Sequence, residues 1–133
     1  MTKLLVLKSG ERLHEGVLDL ARKEGVRTGV VEGIGGVDRL VLAYYDLKGR
    51  KYEEHRFNEF MEVASILGNI TMMDGKPFLH AHGTFGRRDM SVVAGHVVSA
   101  RVRPFLEFGI TKSANLALRR LDEKTGLNAI QHR

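Results

Sequence analysis

The sequence predicts an α+β fold, a largely antiparallel β-sheet with one main helix packed against it. Three observations carry this. Only the segment from Arg12 to Glu24 spaces its apolar residues, Leu13, Val17, Leu20 and Ala21, for one face of a helix. Almost everything after Gly25 is built from short runs rich in Val, Ile, Leu and Tyr, the residues that suit a pleated, half-buried surface. The links between those runs are too short for the crossover that parallel neighbours need, so successive strands must turn back on each other.

In chain order, Lys3 to Lys8 reads as a first strand, followed by the helix, with Gly25 as its C-terminal stop. Gly29 to Glu32 and Val37 to Asp46 read as two strands of a hairpin, with Gly33-Ile34-Gly35-Gly36 as the turn. Further strands are expected at Lys51 to Phe57, Met61 to Met73, Pro77 to Phe85, Met90 to Val102 and Phe105 to Thr111. Their punctuation is Leu47-Lys48-Gly49-Arg50, Asp74-Gly75, Gly86-Arg87-Arg88-Asp89 and Arg103-Pro104. Between Ala114 and Glu123, Leu116, Leu118 and Leu121 fit a strand or a helix equally, and Lys124-Thr125-Gly126 reads as a turn.

With 133 residues, no repeat, no low-complexity tract and only two prolines, residues 1–133 read as one domain. Cysteine is absent, which excludes disulfides, thiolate metal sites and cysteine nucleophiles and leaves histidine to do any soft-metal work. No apolar run reaches the roughly 20 residues of a membrane span, and the first apolar run is too short for a signal-peptide core, so a soluble, cytoplasmic protein is expected. Lys and Arg number 21 against 16 Asp and Glu, a net charge of +5. That balance allows an acidic partner, yet the basic residues come as scattered doublets such as Arg87-Arg88 and Arg119-Arg120, the pattern of a solvated surface.

The sharpest chemical signal is His80-Ala81-His82, with His96 following in Ala94-Gly95-His96-Val97. Strand side chains alternate, so His80 and His82 share a face. His96 joins them only if the two strands pair with an even residue sum, which fits a three-residue link such as Gly86-Arg87-Arg88. Three neutral imidazoles at about 2.0–2.1 Å suit zinc and leave a fourth position open, although nitrogen ligands alone do not separate zinc from iron, nickel or copper. Glu62 is the first candidate for a general base or an outer-shell carboxylate, and Glu32 the second.

The succession Gly33-Ile34-Gly35, Glu62-Val63-Ala64-Ser65-Ile66-Leu67-Gly68, His80-Ala81-His82-Gly83 and Gly95-His96 resembles the plant and prokaryote conserved (PPC) domain over nearly the whole chain. The resemblance implies a trimer, a metal site at the three histidines, and kinship with plant nuclear proteins that join this domain to AT hooks. An AT hook needs Arg-Gly-Arg-Pro in a flexible segment so that the backbone can sink into the minor groove. Here the nearest string is Arg101-Val102-Arg103-Pro104, a β-branched residue replacing the glycine, so weak, non-specific DNA binding is the expectation. The histidine pair is also not that of a cupin, because the position of the cupin glutamate is Gly86.

Other enzyme signatures are missing. Gly33-Ile34-Gly35-Gly36-Val37-Asp38 lacks the last glycine of a dinucleotide fingerprint, and Ser65 and Ser91 have no nucleophile elbow. Two readings follow. One is a trimeric module that binds a transition metal and an unidentified small ligand or macromolecule, with a DNA-binding accessory role kept beside it; the other is a metal-dependent, hydrolase-like enzyme using the open position. The module stands first.

Overall fold

The computed structural model describes residues 1–131. Eight strands and one helix follow in the order β1 (Thr2–Lys8), α1 (Leu13–Lys23), β2 (Gly29–Asp46), β3 (Lys51–Phe57), β4 (Met61–Met73), β5 (Lys76–Gly86), β6 (Val92–Lys112), β7 (Arg119–Asp122) and β8 (Leu127–Ile130). Six strands make one sheet in the order β1-β6-β5-β4-β2-β3, and every pairing in it is antiparallel. β2 also pairs with β6, so β2, β4, β5 and β6 close into a ring. The expected largely antiparallel sheet with one packed helix is the fold observed.

α1 buries Leu13, Val17 and Ala21, the residues whose spacing marks it as a helix, against β1, β5 and β6. It stops where Gly25 takes a positive φ of 71°. The core it covers includes Leu7, Val37, Met61, Ile66, Ile70, Phe85, Val97 and Leu106, none more than 1% exposed. His14, on the polar side by spacing, is instead partly buried, and burial holds its ring below the ordinary imidazole range.

Two expected breaks are absent. Gly33 to Gly36 is no hairpin turn: β2 runs straight through it, flanked by β4 and β6, with the register shifting at Gly33/Gly35 and at Gly35/Val37. These glycines serve close approach. A Cβ on Gly35 would stand 2.3 Å from the Phe105 carbonyl oxygen and one on Gly36 2.2 Å from that of Arg103. Likewise Arg103-Pro104 lies inside β6, between the part paired with β1 from Phe105 onward and the part entering β5. Proline is tolerated there because it falls at a register shift, where a missing N–H breaks no ladder bond.

The ambiguous C-terminal stretch resolves as a separate hairpin, β7–β8, turning at Glu123 to Gly126. It is tied to the sheet by polar contacts. Tyr45 donates to the Thr125 carbonyl at 2.6 Å, and Arg50 donates to the Glu123 and Lys124 carbonyls at 2.8 and 2.9 Å.

Candidate metal centre

β5 carries His80 and His82 on the outer face because their neighbours Leu79 and Ala81, 3% and 1% exposed, fill the core. On β6, Val97 does the same for His96. His82 and His96 are direct partners across β5 and β6, an even residue sum, so all three rings stand on one face. The connection is a three-residue loop, but it is Arg88-Asp89-Met90, two residues later than the sequence suggested. Arg87 donates to the Ser91 carbonyl at 2.8 Å, and Met90 takes the positive φ of 70° that closes such a loop.

One nitrogen from each histidine lies within 4.8 Å of the other two, and His80 Nε2 is 3.2 Å from His82 Nε2. His80 and His96 are half-buried and His82 is exposed. Burial, then neighbouring positive charge, holds His80 below the ordinary imidazole range and lowers His96 to about 4. Both rings are therefore neutral near pH 7, the form that ligates metal. His96 Nδ1 is buried without a hydrogen-bond partner among the described residues, a position that costs about 1–3 kcal/mol unless something fills it. The donor set and this orphaned atom fit a bound metal ion.

Two side chains that the sequence did not single out complete the surroundings. Tyr52 stacks on His96 with ring centroids 4.8 Å apart. Arg119, read from sequence as half of a solvated doublet, is only 7% exposed. It donates to Thr71 Oγ1 at 2.8 Å, the Asn128 carbonyl at 3.0 Å and Asn69 Oδ1 at 2.6 Å, and its Nη2 is 3.3 Å from His80 Nδ1. Guanidinium can only donate, so His80 Nδ1 accepts and the ring proton sits on Nε2, facing His82. No motif marks Arg119; only the hairpin brings it here.

The carboxylates stand elsewhere. Glu62 pairs opposite Gly86, five residues along β4 from Leu67, the partner of His82. At about 3.4 Å per residue that is a separate neighbourhood, lined by Glu59, Arg87, Arg88 and Met90. Glu32 is in the histidine row but two strands away, with Leu67 between it and His82. Within one chain neither acid joins the rings. The Arg101-Val102-Arg103-Pro104 string is sheet: Val102 is fully buried, and Arg101 and Arg103 both bind Asp38.

A bent antiparallel sheet with one packed helix and three imidazoles clustered on its outer face defines a class of small domain. The chain belongs to the Plants and Prokaryotes Conserved (PCC) domain family, whose model matches residues 2–114. Among solved structures it is similar to a metal-containing protein of Archaeoglobus fulgidus, at 32% identity and a TM-score of 0.91 over 99% of this chain and 94% of that one. It is also similar to a Bacteroides thetaiotaomicron protein provisionally named DNA-binding, at 28% identity and a TM-score of 0.92 over 98% and 91% of the two chains. A plant- and prokaryote-conserved protein of Pyrococcus horikoshii follows, at 26% identity and a TM-score of 0.91 over 100% and 92%. Acetolactate decarboxylase from Bacillus subtilis subspecies spizizenii, 12% identical with a TM-score of 0.59 over 88% and 55%, shares the fold alone. No curated protein matches the chain.

Proposed function

We propose that the protein is a homotrimeric, cytoplasmic, single-domain module that binds one divalent transition metal, zinc by choice, through His80, His82 and His96 and presents it to a small ligand. The observation that carries this is the convergence of three imidazoles within 4.8 Å on one face. A metal-containing relative at 32% identity supports it. When bound, zinc would act as a Lewis acid with one position open. The protein's own residues hold the rings: Leu79, Ala81 and Val97 anchor their strands, and Tyr52 covers one side of His96.

An apolar outer groove supports the trimer. Leu4, Val6, Val30, Ile34 and Leu67 are each about half exposed or more, an unusual density for a surface facing only water. The enzyme reading ranks second, because it needs a carboxylate such as Glu62 at the rings and one chain does not bring it there.

Elemental analysis with native mass tests site and assembly together. About one metal per chain and a mass near three times 14.9 kDa are expected. His82→Ala should lose most of the metal, since no cysteine can take its place. An unchanged metal load in that variant rejects the site, and a monomer at micromolar concentration rejects the trimer.

A further inference from the structure

Arg119 is a buried cation with no acid beside it. Its partners are all neutral: a hydroxyl, a backbone carbonyl, an amide oxygen and an imidazole nitrogen. Among the described residues none pairs a carboxylate with it. Burying a charge without a counter-ion is costly, and such a group is normally paired. The three histidines next to it add no negative charge either. A divalent ion held by those rings would stand close to the guanidinium, and among the described residues no carboxylate lies within ion-pair distance of Arg119.

Tautomer chemistry sharpens the imbalance. Without metal, His80 Nδ1 accepts from Arg119 because the ring proton is on Nε2. A neutral His80 ring that held a metal through Nε2 would carry its proton on Nδ1, so the nitrogen that accepts here would become a donor. The Arg119 N–H aimed at it would then have no acceptor, and among the described residues Nη1 donates only to the Asn128 carbonyl, leaving its second N–H without a partner there. A buried guanidinium with two free donors is a receptor for an oxyanion. The neighbouring wall is apolar and aromatic: the guanidinium lies 5.5 Å over the Phe78 ring, and Tyr52 lies against His96.

We propose that the loaded site takes a small organic carboxylate, which occupies the open metal position and whose charge Arg119 balances. This rests on the metal reading above and names the class of ligand for it. The residue that selects the ligand comes from β7, beyond residues 2–114 that the family model covers. A carboxylate fits better than a free phosphate because its apolar body can lie on Phe78 and Tyr52.

The full chain loaded with cobalt(II) provides the test, since the visible spectrum of cobalt reports its own ligands. Acetate titrated into the cobalt form should change that spectrum saturably and release heat in calorimetry, while the metal-free chain shows neither. Arg119→Met should bind cobalt but weaken acetate by about tenfold or more, the worth of a charge-assisted bidentate contact, and Arg119→Lys should recover part of it. Far-UV circular dichroism of both variants checks that the hairpin and sheet persist. A cobalt-loaded wild-type spectrum indifferent to acetate overturns the proposal whatever the variants do, as does equal acetate affinity in Arg119→Met. Phosphate binding tighter than acetate overturns the carboxylate class, and failure of cobalt to load overturns the metal reading beneath it.

Discussion

The body of the domain and its C-terminal hairpin are held by different forces. In the body, β2 and β6 thread a core of fully buried Leu, Ile, Val and Phe, and neighbouring strands pair over long registers. The hairpin, by contrast, exposes Leu118, Leu121 and Ile130 by 43%, 61% and 42% and is fastened by Arg119, Tyr45 and Arg50 through hydrogen bonds. Apolar burial is non-directional and cooperative, whereas the hydrogen bonds act one by one. The body should therefore unfold as a unit, and the hairpin should open locally without it.

The largest effect should come from the body's centre. Phe85 is fully buried, and its ring lies over Gly83, where an added Cβ would come within 2.6 Å of it. Phe85→Ala is expected to cost about 3–5 kcal/mol of global stability in urea unfolding. Because Gly83 follows His82 directly, the same variant should also loosen the histidine cluster. A loss below about 1 kcal/mol would mean that the core is not one cooperative unit.

Thr71→Val strikes the hairpin's buried anchor. It removes the acceptor of Arg119 Nε–H at a residue 1% exposed, leaving that donor unpaired at about 1–3 kcal/mol. The expected outcome is faster hydrogen exchange confined to β7 and β8, with the amides of β2 and β6 protected as before. Equal acceleration throughout would join the two regions into one folding unit.

What the sequence revealed divides along the same line. The helix was legible because Leu13, Val17 and Ala21 repeat with helical period and all face the core. The histidine cluster was legible because strand parity and an odd loop force His80, His82 and His96 onto one side. Gly33 to Gly36 misled because glycine permits both a turn and the approach of another backbone, and only the pairing of β2 with β6 decides which. Arg119 was invisible for a related reason. Its burial depends on Thr71 and Asn69 from β4, about fifty residues away, and nothing local distinguishes it from Arg120.

A third prediction concerns charge on the body. Arg12, Arg39, Arg56 and Arg101 come from four different segments and line one pocket, and of these Arg101 is neutralised by Asp38. Duplex DNA should bind weakly and without base preference, and Arg39→Ala with Arg56→Ala should flatten the log-log salt dependence by about 0.9 for each phosphate no longer neutralised. Filter binding on A·T-rich and G·C-rich duplexes at two salt concentrations measures this. Tight, salt-resistant binding with a preference for one duplex would make DNA the primary partner.

The smallest effects should come from two aspartates that play one part in different regions. In the body, Asp38 is held below the usual carboxylate range chiefly by its hydrogen bond from Arg101, with Arg103 adding to it. In the hairpin turn, Asp122 is held low chiefly by the Thr125 hydroxyl and the Lys124 backbone N–H. A lowered folded pKa means that each carboxylate stabilises the fold above its unfolded pKa, near 3.9, and that the contribution is lost as pH falls through the lower folded value. Asp38→Asn should therefore reduce global stability by an amount within the ~0–1 kcal/mol of exposed ion pairs, constant from about pH 5 to 8 and shrinking below about pH 4. Asp122→Asn should leave the urea midpoint unchanged across that range and speed exchange only at the amides of Lys124 to Leu127. If Asp122→Asn shifts the global midpoint as Asp38→Asn does, the hairpin is part of the body's cooperative unit; a difference between wild type and Asp38→Asn that grows on acidification would show that the carboxylate is not the stabilising form.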